Sequence, residues 1–521
     1  MENTEQRQFI APADVSPEKI VEIILEEWRD SEQISRMVEA DLYYRSENAE
    51  IQSKQRGYTD ENGTFQENEY LSNAKLPSGF LKMSVDQKVN YAFAKNFTIS
   101  ANNPEIELEK NEKDEDAELY LSHWRRWFTS DNMETIKAYA KDAINKGIGW
   151  LYVWIQNGKL QAETIVSETL YPQWEDVAKK KLQAVVRDYK TYEYDEDEEE
   201  MVERTRVEYW TAEEVHRFID DEGDLIVDVE MEGVEEIPFA TAHHIREEAD
   251  AETGEPVGKM ADGWGRVPFI AFKSGRAEMT LLQSVKTIID AIDYLESKMV
   301  DGLLDDMEPI LMIEDITADY KKLLVMRNML KTSQMATIDK GGKAYYLQVR
   351  PDVTAIHTTI EHLYKMAHKF SATIDSQDVK FGANPSGVAL KSVYADLDVY
   401  MNGLETEFRA AINRLKYFFD RWLEFSGVGT AEQWEQYEIT IELDRDMLIN
   451  EEGIIRNVME MARTNPDYRI SSETLNNMNP YVEDHETELA RLDAERERIQ
   501  GGDSELAELQ NQVYANREVA E

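Results

Sequence analysis

Residues 280–304 read "TLLQSVKTIIDAIDYLESKMVDGLL" and decide the fold. Their apolar side chains recur at alternating spacings of four and three residues, which is the repeat of helices that pack along a seam. The pattern predicts a long helix, and it fits a core helix of one domain as well as a helix that packs against its own copies. The seam comprises Leu281, Val285, Ile288, Ile292, Leu295 and Met299, then Gly302 and Leu303, and the acids off it are Asp290, Asp293 and Glu296.

A second, longer helix is predicted downstream. Residues 387–426 are helical in pattern throughout, so this helix contains about 40 residues and measures roughly 60 Å. Gly403 near its middle permits a kink. The residues between the two long helices predict a small mixed unit and one more helix: strand 309–313, helix 316–330, strands 333–338 and 344–349, and helix 353–370.

The chain before residue 280 changes its hydrophobic period at Gly147. Helices are predicted upstream at 16–50, 79–94 and 116–146, with a polar surface loop at 49–75. Downstream, two β-rich runs flank Asn157-Gly158, the dipeptide typical of tight hairpins. They begin a predicted antiparallel meander of five or six strands, whose later members are 182–192, 203–210, 214–219 and 225–230.

The acidic run at residues 195–200 falls between two of these strands. Blocks of like charge repel one another, so a solvated hairpin tip is favoured over a metal site. The end of the chain predicts one strand at 437–443 and short helices near 450–464, 471–478 and 483–499. The whole set of elements indicates an α+β fold.

The loop before the longest helix, "DVKFGANPSGVALKSVY" at residues 378–394, resembles a phosphate-binding loop at first sight. A P-loop needs Lys directly after its second Gly, followed by a hydroxyl for Mg²⁺. Val388 and Ala389 occupy those positions, and Lys391 comes about one helical turn late. The stretch therefore predicts a flexible loop in which Pro385-Ser386 starts the helix.

Composition narrows the class of function. The 521 residues include 57 basic and 105 acidic side chains, a formal net charge of −48, which repels nucleic acid at long range. There is no cysteine, and none of the eight histidines has zinc-motif spacing. We find no signal peptide and no apolar run long enough to span a membrane. These features predict a structural or assembly protein that is not an enzyme and has no cofactor or metal.

Four segments of the chain resemble the portal proteins of tailed bacteriophages, in the branch typified by phage SPP1. Together they extend over most of residues 40–425, and the last two form a fairly specific pair at this separation. Within the first, Ala94 and Asn96 depart from the Gly and Pro usual in the family. The segments are "VDQKVNYAFAKNFTI" (85–99), "KGIGWLYVWI" (146–155), "RVPFIAFKSGRAEMTLLQSVKTIIDAIDYLESKM" (266–299) and "DVKFGANPSGVALKSVYADLD" (378–398).

The resemblance implies a ring, usually of twelve subunits, with a wing, a stem, a clip and a crown. A tunnel loop would project toward the bore, with a long kinked helix behind it. Order along the chain then implies these bounds: wing 1–278 with 428–449 returning to it, stem 279–305 and 353–371, clip 306–352, tunnel loop 372–386, long helix 387–427, and crown and tail 450–521.

A ring of this size has room for DNA. Twelve helices about 10 Å apart make a circle about 120 Å around, or about 38 Å between opposite axes. Subtracting about 10 Å for one helix diameter leaves roughly 28 Å, which admits duplex DNA with a layer of water. The seam residues would pack stem helices together, and Asp290, Asp293 and Glu296 would be available to the channel or to neighbours.

The resemblance also implies partners and a location. Double-stranded DNA would pass through the channel without sequence specificity, contacted by the tunnel loop. The loop residues implied are Lys380, Phe381, Gly382, Asn384 and Gly387. Protein partners would be the terminase large subunit, a head-completion or adaptor protein, and the major capsid and scaffolding proteins. The site would be the portal vertex of a capsid assembled in the bacterial cytoplasm, and the alternative is a non-viral acidic ring-forming scaffold.

Overall fold

A computed structural model describes most of the first 445 residues of the chain. It covers 15–60, 62–68, 71–94, 97–104, 114–195, 200–221, 223–228, 242–249, 256–305, 310–314, 321–322, 325, 343–347, 352–375, 387–443, 445 and 491. The chain divides into one unit of residues 1–375 and 396–445 and another of residues 376–395 and 446–521. The described residues combine runs of helices with runs of antiparallel strands, which confirms the α+β class.

The first helical region contains short helices joined by capped turns. Helices α1 (Pro17–Trp28) and α2 (Glu32–Tyr44) replace the single helix predicted at 16–50, which is wrong. The Ser31 hydroxyl accepts the N–H of Ile34 at 3.3 Å and starts α2, because Ser at an N-cap satisfies an orphan amide. The remaining elements are α3 (Ala49–Gln52), the hairpin β1 (Gly57–Thr59) and β2 (Phe65–Glu67), and α4 (Phe80–Ala92).

The helix predicted at 116–146 is also two helices. They are α5 (Glu115–Trp127) and α6 (Ser130–Lys146), and the Thr129 side chain caps the second by accepting the N–H of Asn132. Helix α6 ends at Gly147, whose φ of +88° is left-handed. Apolar periodicity continues through both breaks, so only the capping residues mark them in the sequence.

The first sheet has three strands in the order β13-β4-β5. They are β4 (Ile148–Gln156), β5 (Lys159–Ile165) and β13 (Phe269–Lys273). The predicted hairpin is confirmed, since Asn157 and Gly158 both have positive φ, 52° and 71°.

The second sheet is a five-stranded antiparallel meander in the order β10-β9-β8-β7-β6. The predicted meander is therefore confirmed in its later strands, but its first hairpin belongs to the other sheet. The strands are β6 (Leu170–Trp174), β7 (Leu182–Asp195), β8 (Glu200–Trp210), β9 (Val215–Asp221) and β10 (Asp224–Val227). Asp195 pairs with Glu200, so the acidic run lies at the β7–β8 hairpin end as predicted, although 196–199 lie outside the described residues.

Three further strand pairs and four helices complete the described fold. The predicted strand at 437–443 is β16 (Glu438–Glu442), paired with β3 (Thr98–Asn102). Also paired are β11 (His244–Ala249) with β12 (Pro256–Asp262), and β14 (Ile310–Glu314) with β15 (Lys343–Leu347). The helices are α7 (Leu281–Asp305), α8 (Val353–Ser371), α9 (Gly387–Phe425) and α10 (Ala431–Glu435).

Some predicted elements lie outside the described residues. Strand 333–338 and nearly all of residues 450–521 are among them, and helix 316–330 is described only at 321, 322 and 325, which are helical. Helix α9 is unbroken from Gly387 to Phe425, 39 residues or about 58 Å. Its predicted length is thus confirmed.

Candidate functional site

Helices α7 and α8 pack against each other and form the centre of the candidate site. The packed stripe of α8 includes Ile360, Ala367 and Ser371, which are all at most 5% exposed. The Tyr364 hydroxyl of α8 donates to Glu296 of α7 at 3.0 Å. Both helices belong to the same compact unit, so their contacts hold within one protomer.

The predicted seam of α7 is only partly buried inside the protomer. The members buried inside the protomer are Leu281, Val285 and Ile292, and the partly exposed members are Ile288, Leu295 and Met299. Ile289 is buried whereas the neighbouring Ile288 is only partly buried. The partly exposed members therefore lie along one edge of the buried stripe, and we call this edge the outward face of α7.

Polar side chains of α7 form a ladder with residues 72–78. Alternate N–H groups of that segment donate to side chains one helical turn apart. The pairs are Ser72 to Asp305, Ala74 to Asp301, Leu76 to Ser297 and Ser78 to Asp293, at 2.6 to 3.0 Å. Two residues of extended chain advance about 6.6 Å and four residues of helix about 6 Å, so the repeats match. We call these four bonds the α7 ladder.

A second set of donors reaches the other oxygen of each ladder carboxylate. Asn48 donates to Asp293 at 2.7 Å, Lys54 pairs with Asp301, and Arg56 pairs with Asp305 at 2.6 Å. The two cations also donate to carbonyls of the same segment, Arg56 to Ser72 at 2.6 Å and Lys54 to Ala74 at 3.0 Å. Each carboxylate therefore has a hydrogen-bond or ion-pair partner on each of its two oxygens. A buried charge is tolerated only when it is paired in this way.

The three acids predicted for the channel all have partners within the protomer. Asp290 accepts from the Tyr43 hydroxyl at 2.5 Å, and Glu296 accepts from Tyr364 at 3.0 Å. Asp293 is only 1% exposed, and burial raises its pKa and that of Glu296, although their hydrogen bonds act to lower them. Asp293 is thus occupied inside the protomer, while a channel position for Asp290 and Glu296 stays a prediction.

The α7 ladder was not predicted, although the sequence of α7 contains a signal for it. Asp293, Ser297, Asp301 and Asp305 recur every four residues along α7. Such a row of short polar side chains on one face predicts a polar partner along that face. Pro77 lies between two donors of the partner segment, Leu76 and Ser78. Its lack of an N–H costs the ladder nothing, because only alternate residues donate.

The end of α8 anchors the first residues of the predicted tunnel loop. The N–H of Thr373 donates to the His368 carbonyl at 3.0 Å. Gln87 exchanges two hydrogen bonds with the backbone of Ile374, at 2.8 and 3.0 Å. The loop predicted at 372–386 thus begins with a held segment, 372–375. Lys380, Phe381, Gly382 and Asn384 lie outside the described residues, and Gly387 is the first residue of α9.

The long helix α9 is fixed to α4 by two polar contacts. The Tyr91 hydroxyl donates to Asp398 at 2.6 Å. The Lys88 ammonium lies 3.2 Å from the ring centroid of Tyr400, and burial lowers the pKa of Lys88 to about 7. At Gly403, an added Cβ would meet nothing within 4 Å, so packing does not require glycine there.

Two classes of site have no support in the described part of the chain. Within it, no three or more acidic or histidine side chains gather in a way that could bind a metal ion. None of the helices described combines the length and the apolar content that a membrane span needs.

Comparisons with known proteins agree with the resemblance seen in the sequence. A model of the family described as "Phage portal protein, SPP1 Gp6-like" matches residues 27–502. The chain is 23% identical over 478 residues to the portal protein of Bacillus phage SPP1, covering 89% of this chain and 86% of that protein. It is 24% identical over 358 residues to the portal protein of Clostridium phage phiCD119, covering 66% and 70% of the two chains.

Proposed function

The chain belongs to the family of phage portal proteins, SPP1 Gp6-like, and from this premise we propose that its copies form a closed ring around duplex DNA. The observation that carries the proposal is the outward face of α7. Ile288, Leu295 and Met299 stay partly exposed at the edge of the buried stripe, so they offer apolar surface to another copy.

The ring would serve as a conduit and a docking platform. DNA would pass without sequence specificity, and the finer partners proposed are the terminase large subunit, a head-completion protein, and the major capsid and scaffolding proteins. Portal proteins are structural components of the capsid, so we assign ATP hydrolysis to another chain. We propose that the ring assembles in the cytoplasm of the bacterial host. Membership in the family decides against the alternative of a non-viral scaffold.

The assembly surface is tested by replacing Ile288 with aspartate. Burying an unpaired charge in a subunit contact is strongly unfavourable, so the Ile288→Asp variant should sediment as monomer or small oligomers. The wild type should have a native mass about twelve or thirteen times the 60.4 kDa chain mass. Thr358→Asp, an exposed substitution on α8, is the control and should leave assembly intact. If the wild-type protein is a monomer at micromolar concentration, the proposed ring is contradicted.

The tunnel loop is tested with proline at Gly382 and Gly387. Proline is accepted in the first turn of a helix, and Gly387 begins α9, so the double variant should still form rings. We expect less DNA protected from nuclease in procapsids supplied with terminase and ATP, because the loop loses backbone freedom. The Gly387→Pro single variant is the control and should package nearly normally. If the double variant packages DNA normally, the loop is only a passive linker between two helices.

A further inference from the structure

Strands β7 and β8 extend beyond the strands that flank them in the five-stranded sheet. The last residue of β7 to pair with β6 is Arg187, and the first residue of β8 to pair with β9 is Thr205. Among the described strands, residues 191–195 and 200–204 pair only with each other, and we call them the arm. A two-stranded hairpin is at best marginally stable alone in water, so a partner would stabilise the arm.

One face of the arm is apolar and open to solvent. Tyr192, Tyr194 and Met201 are 68%, 61% and 60% exposed. Tyr194 is paired with Met201 across the two strands, and Tyr192 lies two residues before Tyr194, so the three side chains share a face. Glu200 is exposed at the end of the arm, and it belongs to the acidic run at residues 195–200. The arm thus presents aromatic rings beside concentrated negative charge.

A cleft of about 810 Å³ opens between α9, α10 and β16. Arg266 and Arg421 line it, and neither forms an ion pair within the part of the chain that the structure describes. Their guanidinium carbons lie 3.8 and 4.8 Å from the centroid of the Tyr417 ring. The Nε of Arg421 is buried and has no hydrogen-bond partner among the described residues. The cleft therefore holds two cations without a carboxylate, in a chain with 105 acidic against 57 basic residues.

The cleft is basic on one side and acidic on the other. Helix α10 and strand β16 contribute the exposed side chains of Glu432, Glu435 and Glu438. These glutamates repel a uniform polyanion such as nucleic acid. A protein segment that combines acids and aromatic rings with a cation suits both sides. The arm is such a segment, because Arg204 accompanies its acids and tyrosines.

The arm of a protomer is too far from the cleft of the same protomer to enter it. Leu182, the first residue of β7, lines a small pocket together with Arg266. From Leu182 to Asp195 the strand advances 13 residue steps, or about 43 Å. The end of the arm therefore lies tens of ångströms from Arg266, and only another copy can bring an arm to this cleft.

We propose that the arm of one copy docks in the cleft of a neighbouring copy of this chain, an inference that rests on the proposed function. The Glu200 carboxylate pairs with the cleft arginines. Tyr192 and Tyr194 stack on the guanidinium groups, which favour both aromatic faces and carboxylates. Neighbours in a ring meet through two different surfaces of the chain, and the arm and the cleft are two such surfaces. Copies with a net charge of −48 repel each other, so a contact that places cations opposite acids favours their association.

Disulfide crosslinking tests the contact between the arm and the cleft. Tyr194→Cys combined with Asn413→Cys places one thiol on the arm and one in the cleft, where Asn413 is exposed. Because the chain has no cysteine of its own, every disulfide formed joins introduced thiols. Under mild oxidation we expect a ladder of linked chains on denaturing gels, up to the full ring.

The matched control combines Tyr194→Cys with Val38→Cys, at an exposed position of α2, and should give several-fold fewer linked chains. Wild-type rings without a ladder from the arm–cleft pair, or equal ladders from the two pairs, would overturn the inference alone. Absence of rings in the wild type would instead overturn the proposed function.

Charge reversal covers the case in which the cysteine variants do not assemble. Arg266→Glu with Arg421→Glu should lower the fraction of chains in rings several-fold, because the arm then meets like charge. Adding Glu200→Arg should restore part of the lost rings. Lys19→Glu with Lys82→Glu makes the same change of charge at exposed sites on α1 and α4 and should have a smaller effect. A loss no larger than in this control, or no recovery with the reversed arm, would contradict the contact.

Discussion

Replacing Gly147 with alanine is expected to destabilise the protein by about 2–5 kcal/mol, the sum of a conformational cost and a backbone clash. Gly147 has φ +88°, and the left-handed region costs other residues about 1–2 kcal/mol. An added Cβ would lie 2.2 Å from the carbonyl oxygen of Glu278. Its nearest neighbours are backbone atoms, so the chain itself must shift, at a typical overpacking cost of about 1–3 kcal/mol.

The segment that must shift leads directly into α7. The N–H of Ser274 donates to the Gly147 carbonyl at 2.9 Å. The buried Glu278 carboxylate pairs with Lys273 at 2.9 Å and Lys179 at 2.6 Å, and although burial acts to raise its pKa, the two lysines lower it overall. Strain at Gly147 therefore reaches the start of the helix proposed to hold the ring together, and assembly should fall with stability.

Gly158→Ala is the matched control for this prediction. Gly158 also has positive φ, +71°, but an added Cβ there would meet nothing within 4 Å. The Gly158→Ala variant should lose only the conformational part of the free energy of unfolding, about 1 kcal/mol. Thermal unfolding of both variants measures the difference, and native mass measures assembly. Equal losses of stability in the two variants would show that the backbone at Glu278 moves away from the added Cβ at little cost.

The sequence predicted long elements well because their periodicity is local. Helix α9, the β4–β5 hairpin and the position of α7 all followed from patterns within about 40 residues. The breaks after α1 and α5 were missed because apolar spacing continued through them, while Ser31 and Thr129 signalled the new helices only weakly. The two sheets were merged because β13, the partner of β4, lies more than 100 residues away in the chain.

The candidate site was predictable in outline only. The apolar repeat of α7 contains buried and partly exposed residues, and deciding which of them are core required the position of the segments packed against the helix. The acids Asp290, Asp293 and Glu296 were predicted to be available to the channel or to neighbours, yet Asp293 is nearly fully buried, as is Asp301 of the ladder. Their partners come from residues 48–78, more than 200 positions earlier, and no local pattern in α7 identifies them.

The α7 ladder predicts a large loss of stability when Asp301 becomes alanine. The variant removes the carboxylate that pairs with the Lys54 ammonium, only 10% exposed, and that accepts the N–H of Ala74. The Lys54 charge then keeps the Ala74 carbonyl but loses its carboxylate. Breaking a buried ion pair from one side costs about 3–5 kcal/mol, because the remaining charge is unpaired. Replacing both partners, as Lys54→Met with Asp301→Leu, should recover much of the loss, since apolar packing substitutes for a buried pair.

Hydrogen exchange separates this role of Asp301 from a general loss of stability. In the wild type, the N–H groups of Ala74 and Leu76 donate to α7 and should exchange slowly. In Asp301→Ala, the peptide spanning 72–78 should exchange faster at a temperature where β4 and β5 stay protected. Glu361→Ala is the control, because its exposed pair with His357 contributes at most about 1 kcal/mol. If Asp301→Ala costs no more than that control and leaves 72–78 protected, the ladder does not hold α7 in place.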